Sequence, residues 1–279
     1  MLYIVIPVFN RKQFTRECLL SLRKQTNTHF KVIVVDDGST DGTGQMLKVE
    51  FPEVTVIEGN GHLFWTAATN LGVRHAVDQG ASHIMTLNND TVATPDFIEK
   101  MYFWGTRKPD ALLGALAIDS ATLKPVYGGE TINWFLNSYQ SLLKKIPVNQ
   151  QTGIHKVTHF PGRGLWIPKR VFDTIGLFDE KKFPHYYADY DFTYSALRAG
   201  FEIYCNYDAK LLTYPAESGE RKLRQKKSFS NYYNHLFGIR GGGNLVNFTN
   251  FTLKNCPPYY IPFVLANGYI RRVFGYLLK

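Results

Sequence analysis

The stretch Lys31–Val35 is β-branched and nearly all apolar, and it stops abruptly at two carboxylates, Asp36 and Asp37. A strand of that composition is buried on both faces, which is the condition of a parallel sheet covered by helices. The surrounding sequence repeats the alternation. Leu2–Ile6 is a short apolar strand. Asn10 is placed to cap the helix that follows, with Gln13 as its capping-box partner, and Phe14, Cys18, Leu19 and Leu22 share one face of that helix. A helix is expected over Thr43–Glu50, a strand over Val54–Ile57, a helix over Thr66–Gln79 stopped by Gly80, and a strand over His83–Leu87. This βαβαβαβ succession predicts an α/β protein with a Rossmann-like, mostly parallel sheet flanked by helices.

Beyond Pro95 the pattern loosens. Leu112–Ile118 and Gly162–Ile167 have strand character, and helices are expected over Lys169–Ile175 and Phe192–Ala199, ended by Gly176 and Gly200. Between them, Asp119–Thr158 is mixed, aromatic and punctuated, and reads as an insertion facing the substrate. Three cysteines without metal-like spacing argue against a disulfide scaffold and for a reducing compartment. The first nine residues run straight into Asn10 and Arg11 and read as a strand rather than a leader.

The net charge of +9 is unevenly placed: residues 221–279 hold ten Lys or Arg and no acidic residue. Such a field attracts anions, whether lipid headgroups, nucleic acid or an acidic glycan. Tyr260–Leu278 is apolar but broken by Pro262, Asn267, Arg271 and Arg272, which falls short of a spanning helix. It suits a helical extension that lies on a membrane surface, packs on the domain, or joins a homo-oligomer.

Acidic residues recur where strands end. Asp36 and Asp37 close one strand beside Pro7, Phe9 and Asn10 at the end of another, a crevice in which a carboxylate can accept a ring N–H of a nucleotide. No GxGxxG or Walker loop is present, so a nucleotide here belongs to a substrate rather than to a redox cofactor. Asn88, Asn89 and Asp90 follow the next strand, as an Asx-turn or as a site for a hard divalent ion. Asp189 and Asp191 stand near a helix start, where one can accept a proton and the other cap the helix. Trp65, Trp134, Trp166, Tyr186 and Tyr187 suit either a sugar-stacking rim or the core. Gly162 and Gly164 suit close backbone approach or a turn, with Arg163 between them to meet an anion.

The chain resembles the family 2 inverting glycosyltransferases with the GT-A fold. The signals are IPVFNR at Ile6–Arg11, VVDDGSTDGT at Val34–Thr43, GNGHLFWTAATNLG at Gly59–Gly72, LNNDTVATPDFI at Leu87–Ile98, and the stretch Gly176–Phe201 that contains YYADYD. The NNDT and FWTAATN forms are similar to rhamnosyltransferase-like members that build bacterial surface polysaccharides.

The resemblance implies that Asp37 reads the pyrimidine base beside Pro7, and that Phe9, Asn10, Asp36, Asn60, Asn88 and Asn89 join the donor site. It further implies that Asp90 holds Mg2+ or Mn2+ and that Asp189 is the general base. The donor would be a nucleoside diphosphate sugar, dTDP-rhamnose or a UDP-sugar, and the acceptor a hydroxyl of a glycan or lipid-linked oligosaccharide. Residues 1–220 would form the catalytic domain, with a nucleotide-sugar half at 1–110 and an acceptor half at 111–220, and 221–279 the extension. The expected location is the cytoplasm, peripherally at the inner face of the membrane, with nucleic acid disfavoured as a partner.

Three positions depart from the family pattern: Asn88 replaces the first acid of the DxD motif, Ala188 the acid beside the base, and Thr213 a late histidine, with Tyr214 the nearest substitute. Two other functions share these features. One is a catalytically inactive carbohydrate-binding or assembly protein, and the other a sugar-nucleotide nucleotidyltransferase, which wants a basic glycine-rich loop where the chain offers only Arg11.

Overall fold

Alternation along the first strand, β1 (Leu2–Val8), sets the layering: Leu2, Ile4 and Ile6 face one side, Tyr3 and Val5 the other, and all five are buried. Both faces of the sheet therefore need a covering layer, and each has one. The computed structural model describes residues 1–215 and 228–277. After β1 come α1 (Lys12–Arg23), β2 (Phe30–Asp36), α2 (Thr43–Glu50), β3 (Thr55–Glu58), α3 (Phe64–Asp78) and β4 (His83–Thr86). Then follow β5 (Thr91–Ala93), α4 (Phe97–Arg107), β6 (Leu112–Asp119), β7 (Pro125–Tyr127), β8 (Glu130–Asn133), β9 (Ser138–Ser141) and β10 (Ile154–Lys156). The order continues with β11 (Leu165–Pro168), α5 (Lys169–Ile175), α6 (Ala188–Arg198) and β12 (Ile203–Thr213).

The main sheet runs in the order β10, β12, β6, β11, β4, β1, β2, β3, with β5 on β12 and β7 on β6. β1, β2, β3 and β4 pair in parallel, as do β6 and β12. β11 lies antiparallel to both of its neighbours, β4 and β6. Six of the ten strands thus share one direction and β5, β7, β10 and β11 oppose it, so the sheet is mixed but mostly parallel.

α3 lies against β1 so closely that a Cβ on Gly72 would come 2.4 Å from Val5 Cγ1. The insertion after β6 contains the β8–β9 hairpin and the edge strand β10. α6 begins at Ala188, a turn earlier than the apolar periodicity from Phe192 implied. Its start is set by Tyr187, which takes a left-handed backbone at φ 72° and carries no sequence signature of a helix boundary.

Among the described residues three α-helices follow: α7 (Phe229–Phe237), α8 (Leu245–Asn255) and α9 (Ile261–Leu277). Ser228 and Asn244 cap the first two by accepting the amides of Asn231 and Asn247 at 3.1 and 2.8 Å. α8 docks beside α6, with Phe251 fully buried against Trp134 and Tyr187. No helix among the described residues is long and apolar enough to cross a membrane. The basic residues at 221–227 fall outside the described residues.

Candidate functional site

The C-terminal ends of β1, β2 and β4 open onto a cavity of about 460 Å³, where an open α/β sheet exposes the loops that follow its strands. Pro7 comes from β1 and Phe9 from the loop after it, Asp37 follows β2, and Asn88, Asn89 and Asp90 follow β4. Arg163 precedes β11, His185, Tyr186 and Asp189 surround the start of α6, and Thr213 and Tyr214 end β12. α3 adds Trp65, and the extension reaches in with Arg240.

Asp37 is buried and accepts three backbone amides: Gly61 N–H on Oδ1 at 2.8 Å, and Leu63 and Phe64 N–H on Oδ2 at 2.9 and 3.2 Å. These are donors at the entry to α3, so the carboxylate is fixed by the helix that it caps from outside. Oδ1, with one of these bonds, retains accepting capacity toward the cavity.

Asp36, Asn10 and Asn60 are not on the cavity wall. Asp36 is buried and accepts Ser39 N–H at 3.1 Å, and Asn60 accepts His62 N–H at 3.0 Å in an Asx turn. Asn10 does not cap α1. It sits at φ 50° and its amide oxygen accepts Thr40 N–H at 2.7 Å, while Asp41 accepts the Lys12 amide at 2.9 Å. Gln13 instead donates to Glu17 at 2.8 Å. The loop after β2 competes across space for the polar groups that a local capping box would use.

Asn88 Oδ1 accepts the Trp65 indole N–H at 3.0 Å, and Asn89 donates to Thr15 Oγ1 at 3.0 Å. Asp90 Oδ2 pairs with Arg11 Nη1 at 2.9 Å, each side chain about a third exposed. A hard cation at this point would find one carboxylate, already paired to a guanidinium, and one amide oxygen committed to an indole. The Thr213 hydroxyl donates to Ile118 O at 3.3 Å. Among the described residues no group of three His, Cys, Asp or Glu is gathered. The described residues alone therefore supply no cage, and Asp90 is the carboxylate that would hold Mg2+ or Mn2+ together with substrate phosphate oxygens and water; no step below passes through an ion.

Asp189 is oriented by two backbone donors, Gly162 N–H on Oδ2 and Tyr190 N–H on Oδ1, both at 2.9 Å. Burial raises its pKa above the ordinary carboxylate value, and those hydrogen bonds and His159 oppose the shift. A carboxylate so placed is a better proton acceptor than an exposed one. Asp191 is not the helix cap. It is buried, accepting Lys254 Nζ at 2.6 Å and Asn255 Nδ2 at 2.8 Å from α8. Gly162 is required by packing, since a Cβ there would come 2.3 Å from Trp65 Cζ2.

Three arginines, Arg11, Arg163 and Arg240, share the cavity with Asp37, Asp90 and Asp189. Arg240 stands 5.7 Å from the Phe9 ring and 5.9 Å from the Phe64 ring. His185 is pushed down to about 4, by burial first and then by Arg240 and Arg11, so its imidazole is neutral at neutral pH. Sequence reading assigned no role to His185 or Arg240. The spacing of His185, four residues before Asp189, was the available signal for the first; Arg240 had none, since it arrives from a separate helical layer.

The aromatics divide. Trp65 and Tyr186 line the cavity. Trp166 is 1% exposed in the core, Trp134 donates to Tyr194 Oη at 2.8 Å, and Tyr187 packs on Phe251.

The family model "Glycosyl transferase family 2" matches residues 3–175. Glycosyltransferase GlyA of Streptococcus pneumoniae serotype 4 is 30% identical over 104 residues, 36% of this chain and 14% of that protein. The matched region of a second pneumococcal relative, GlyG, covers 34% of that protein, so the chain spans about a third or less of these two relatives. The dTDP-rhamnosyl transferase RfbF of Shigella flexneri is 22% identical over 213 residues, 76% of this chain and 68% of that protein. Among solved structures, S. aureus TarS 1–349 superposes with a TM-score of 0.58 at 15% identity, covering 98% of this chain and 72% of that one, a likeness of fold.

Proposed function

Because the chain belongs to glycosyl transferase family 2, we propose that its cavity binds a nucleoside diphosphate sugar and transfers the sugar, with inversion, to a hydroxyl of a glycan or lipid-linked acceptor in bacterial surface polysaccharide synthesis. The observation that carries this reading is that Asp37 and Asp189, one fixed by the entry to α3 and the other by Gly162, line the same cavity together with three arginines.

Asp37 accepts a base N–H, and Pro7 and Phe9 border the base. Arg11, Arg163 and Arg240 supply the positive charge that a diphosphate needs, through charge-assisted hydrogen bonds. Asp189 accepts the acceptor hydroxyl proton as that oxygen attacks the anomeric carbon. The bond from this carbon to the diphosphate oxygen breaks, and the nucleoside diphosphate departs with the electron pair. Attack opposite the leaving group inverts the anomeric centre. Residues 1–220 carry these groups except Arg240, which the extension contributes.

The test is a panel of nucleoside diphosphate sugars, beginning with dTDP-rhamnose, the donor that the RfbF name supplies, and UDP-sugars. Transfer by the wild type and its loss in Asp189→Asn, with donor binding kept, supports the reading. Transfer retained by Asp189→Asn overturns the base assignment.

A further inference from the structure

α9 turns an apolar face outward. Tyr259, just before it, and Phe263, Ile270 and Phe274 within it are 49% to 74% exposed. Their spacing of four, seven and four residues places them on one side of the helix. The opposite side is spent on the protein: Val264, Gly268 and Tyr276 are buried. The patch continues onto the catalytic domain at the β8–β9 turn, where Phe135 and Leu136 are also exposed. Asn137, next in sequence, donates to Val264 O at 3.3 Å, and the Phe135 ring lies 6.2 Å from Tyr260, so turn and helix form one surface. A contiguous outward apolar face of this kind marks an interaction site rather than scattered surface hydrophobes.

We propose that this face docks the protein on an anionic lipid bilayer, with α9 lying in the plane of the headgroups. Charge selects the occupant. Residues 221–279 contain ten basic residues and no acidic one; among the described ones Arg240 enters the cavity, Lys254 pairs with Asp191 and Arg272 lies on Phe248, while Arg271 is exposed beside Ile270 on the face itself. Anionic headgroups complement that field, whereas a second copy of the chain would bring two such fields together. α9 also lacks the length and apolarity to cross the bilayer, which leaves the interfacial mode. Docking here deepens the reading of a lipid-linked acceptor, because α8, beside α9, holds the helix that carries Asp189.

The experiment is co-sedimentation of the full chain with phosphatidylcholine vesicles, with and without phosphatidylglycerol, for the wild type and for Phe263→Ser/Ile270→Ser/Phe274→Ser. These side chains are exposed, and unchanged thermal unfolding verifies that the variant is folded. The wild type is expected to bind the anionic vesicles at least about tenfold more tightly than the neutral ones. The triple variant is expected to lose at least about tenfold of that binding. Wild-type failure to bind, or equal binding by the variant, overturns the proposal. So does a solution dimer that the triple substitution converts to monomer, since the face would then join two copies. Vesicle binding needs neither donor nor turnover, so its failure leaves the transfer reaction standing, and loss of transfer in Asp189→Asn leaves vesicle binding unaffected.

Discussion

Lys254, in α8 of the extension, sets its ammonium 2.6 Å from the carboxylate of Asp191, in the first turn of the helix that carries Asp189. Asp191 is 2% exposed, so this cation is the main compensation for a charge removed from water. The extension thereby enters the structure of the site.

Lys254→Ala is expected to destabilise the protein by about 3 kcal/mol, the low end for breaking a buried pair, because Lys254 itself is partly exposed. Asp191→Asn in the same chain should recover much of the loss, since the stranded charge is then gone. Urea unfolding of the two single variants and the double variant measures this. Additive losses would show that the pair is not coupled.

The acid limb of kcat/KM is expected above the ordinary aspartate value of about 3.9. Burial favours the protonated form of Asp189 in the folded protein; the proton-accepting form is therefore lost, as pH falls, sooner than an exposed carboxylate would lose it. The sign for stability is opposite to that of a salt-bridged acid: the contribution of this group is largest at low pH and declines as pH rises through the raised pKa. Asp189→Asn should lower kcat by about a thousandfold above the limb and remove the limb itself, so that the difference from the wild type shrinks as pH falls. A limb at the ordinary value would remove burial as the tuning cause.

Gly162→Ala forces its new methyl onto the Trp65 ring. The indole must then move away from Asn88, and the amide that holds Asp189 shifts with the backbone. A loss of about 1–3 kcal/mol in stability is expected, together with a fall in kcat of up to about a hundredfold from misplacement of the base. Thermal unfolding and initial rates check the two effects separately.

Arg240→Ala is expected to weaken binding of dTDP or UDP by about tenfold or more, the size of one charge-assisted contact. Binding by calorimetry, with Mg2+ and with EDTA, is the measurement. The same variant should let the pKa of His185 rise from about 4 toward its ordinary value, visible by NMR, because Arg240 is one cause of its depression. An unchanged affinity and an unchanged His185 titration would together remove Arg240 from the site.

Much of this was legible in the sequence because periodicity and strand-end chemistry are local. The βαβ units follow from apolar runs such as Lys31–Val35, and the carboxylates after them reach the cavity because strand ends must. Asn10 was misread because the Ser39–Asp41 loop, distant in sequence, supplies the capping interactions. The start of α6 was read late because a left-handed Tyr187 gives no compositional cue. Short strands such as β8 and β9 carry too few residues for a period to register. Arg240 and Lys254 reach the site only through packing of separate helices, which no window along the chain contains.

The reversed strand β11 has a further meaning. Its first residue, Leu165, pairs with Thr86, the last residue of β4, so the strand begins where its neighbour ends. A wholly parallel sheet offers this margin only the exits of its strands. Here one entrance stands among the exits, and the Gly162 N–H just ahead of it faces Asp189. The segment between β6 and β11, which also lends β7 and β10 to the sheet, therefore re-enters it at the cavity itself, just ahead of the register of Trp166 on Met85. On the proposed function, acceptor choice could drift through loop exchange at that doorway while the sheet beneath the cavity stays as it is.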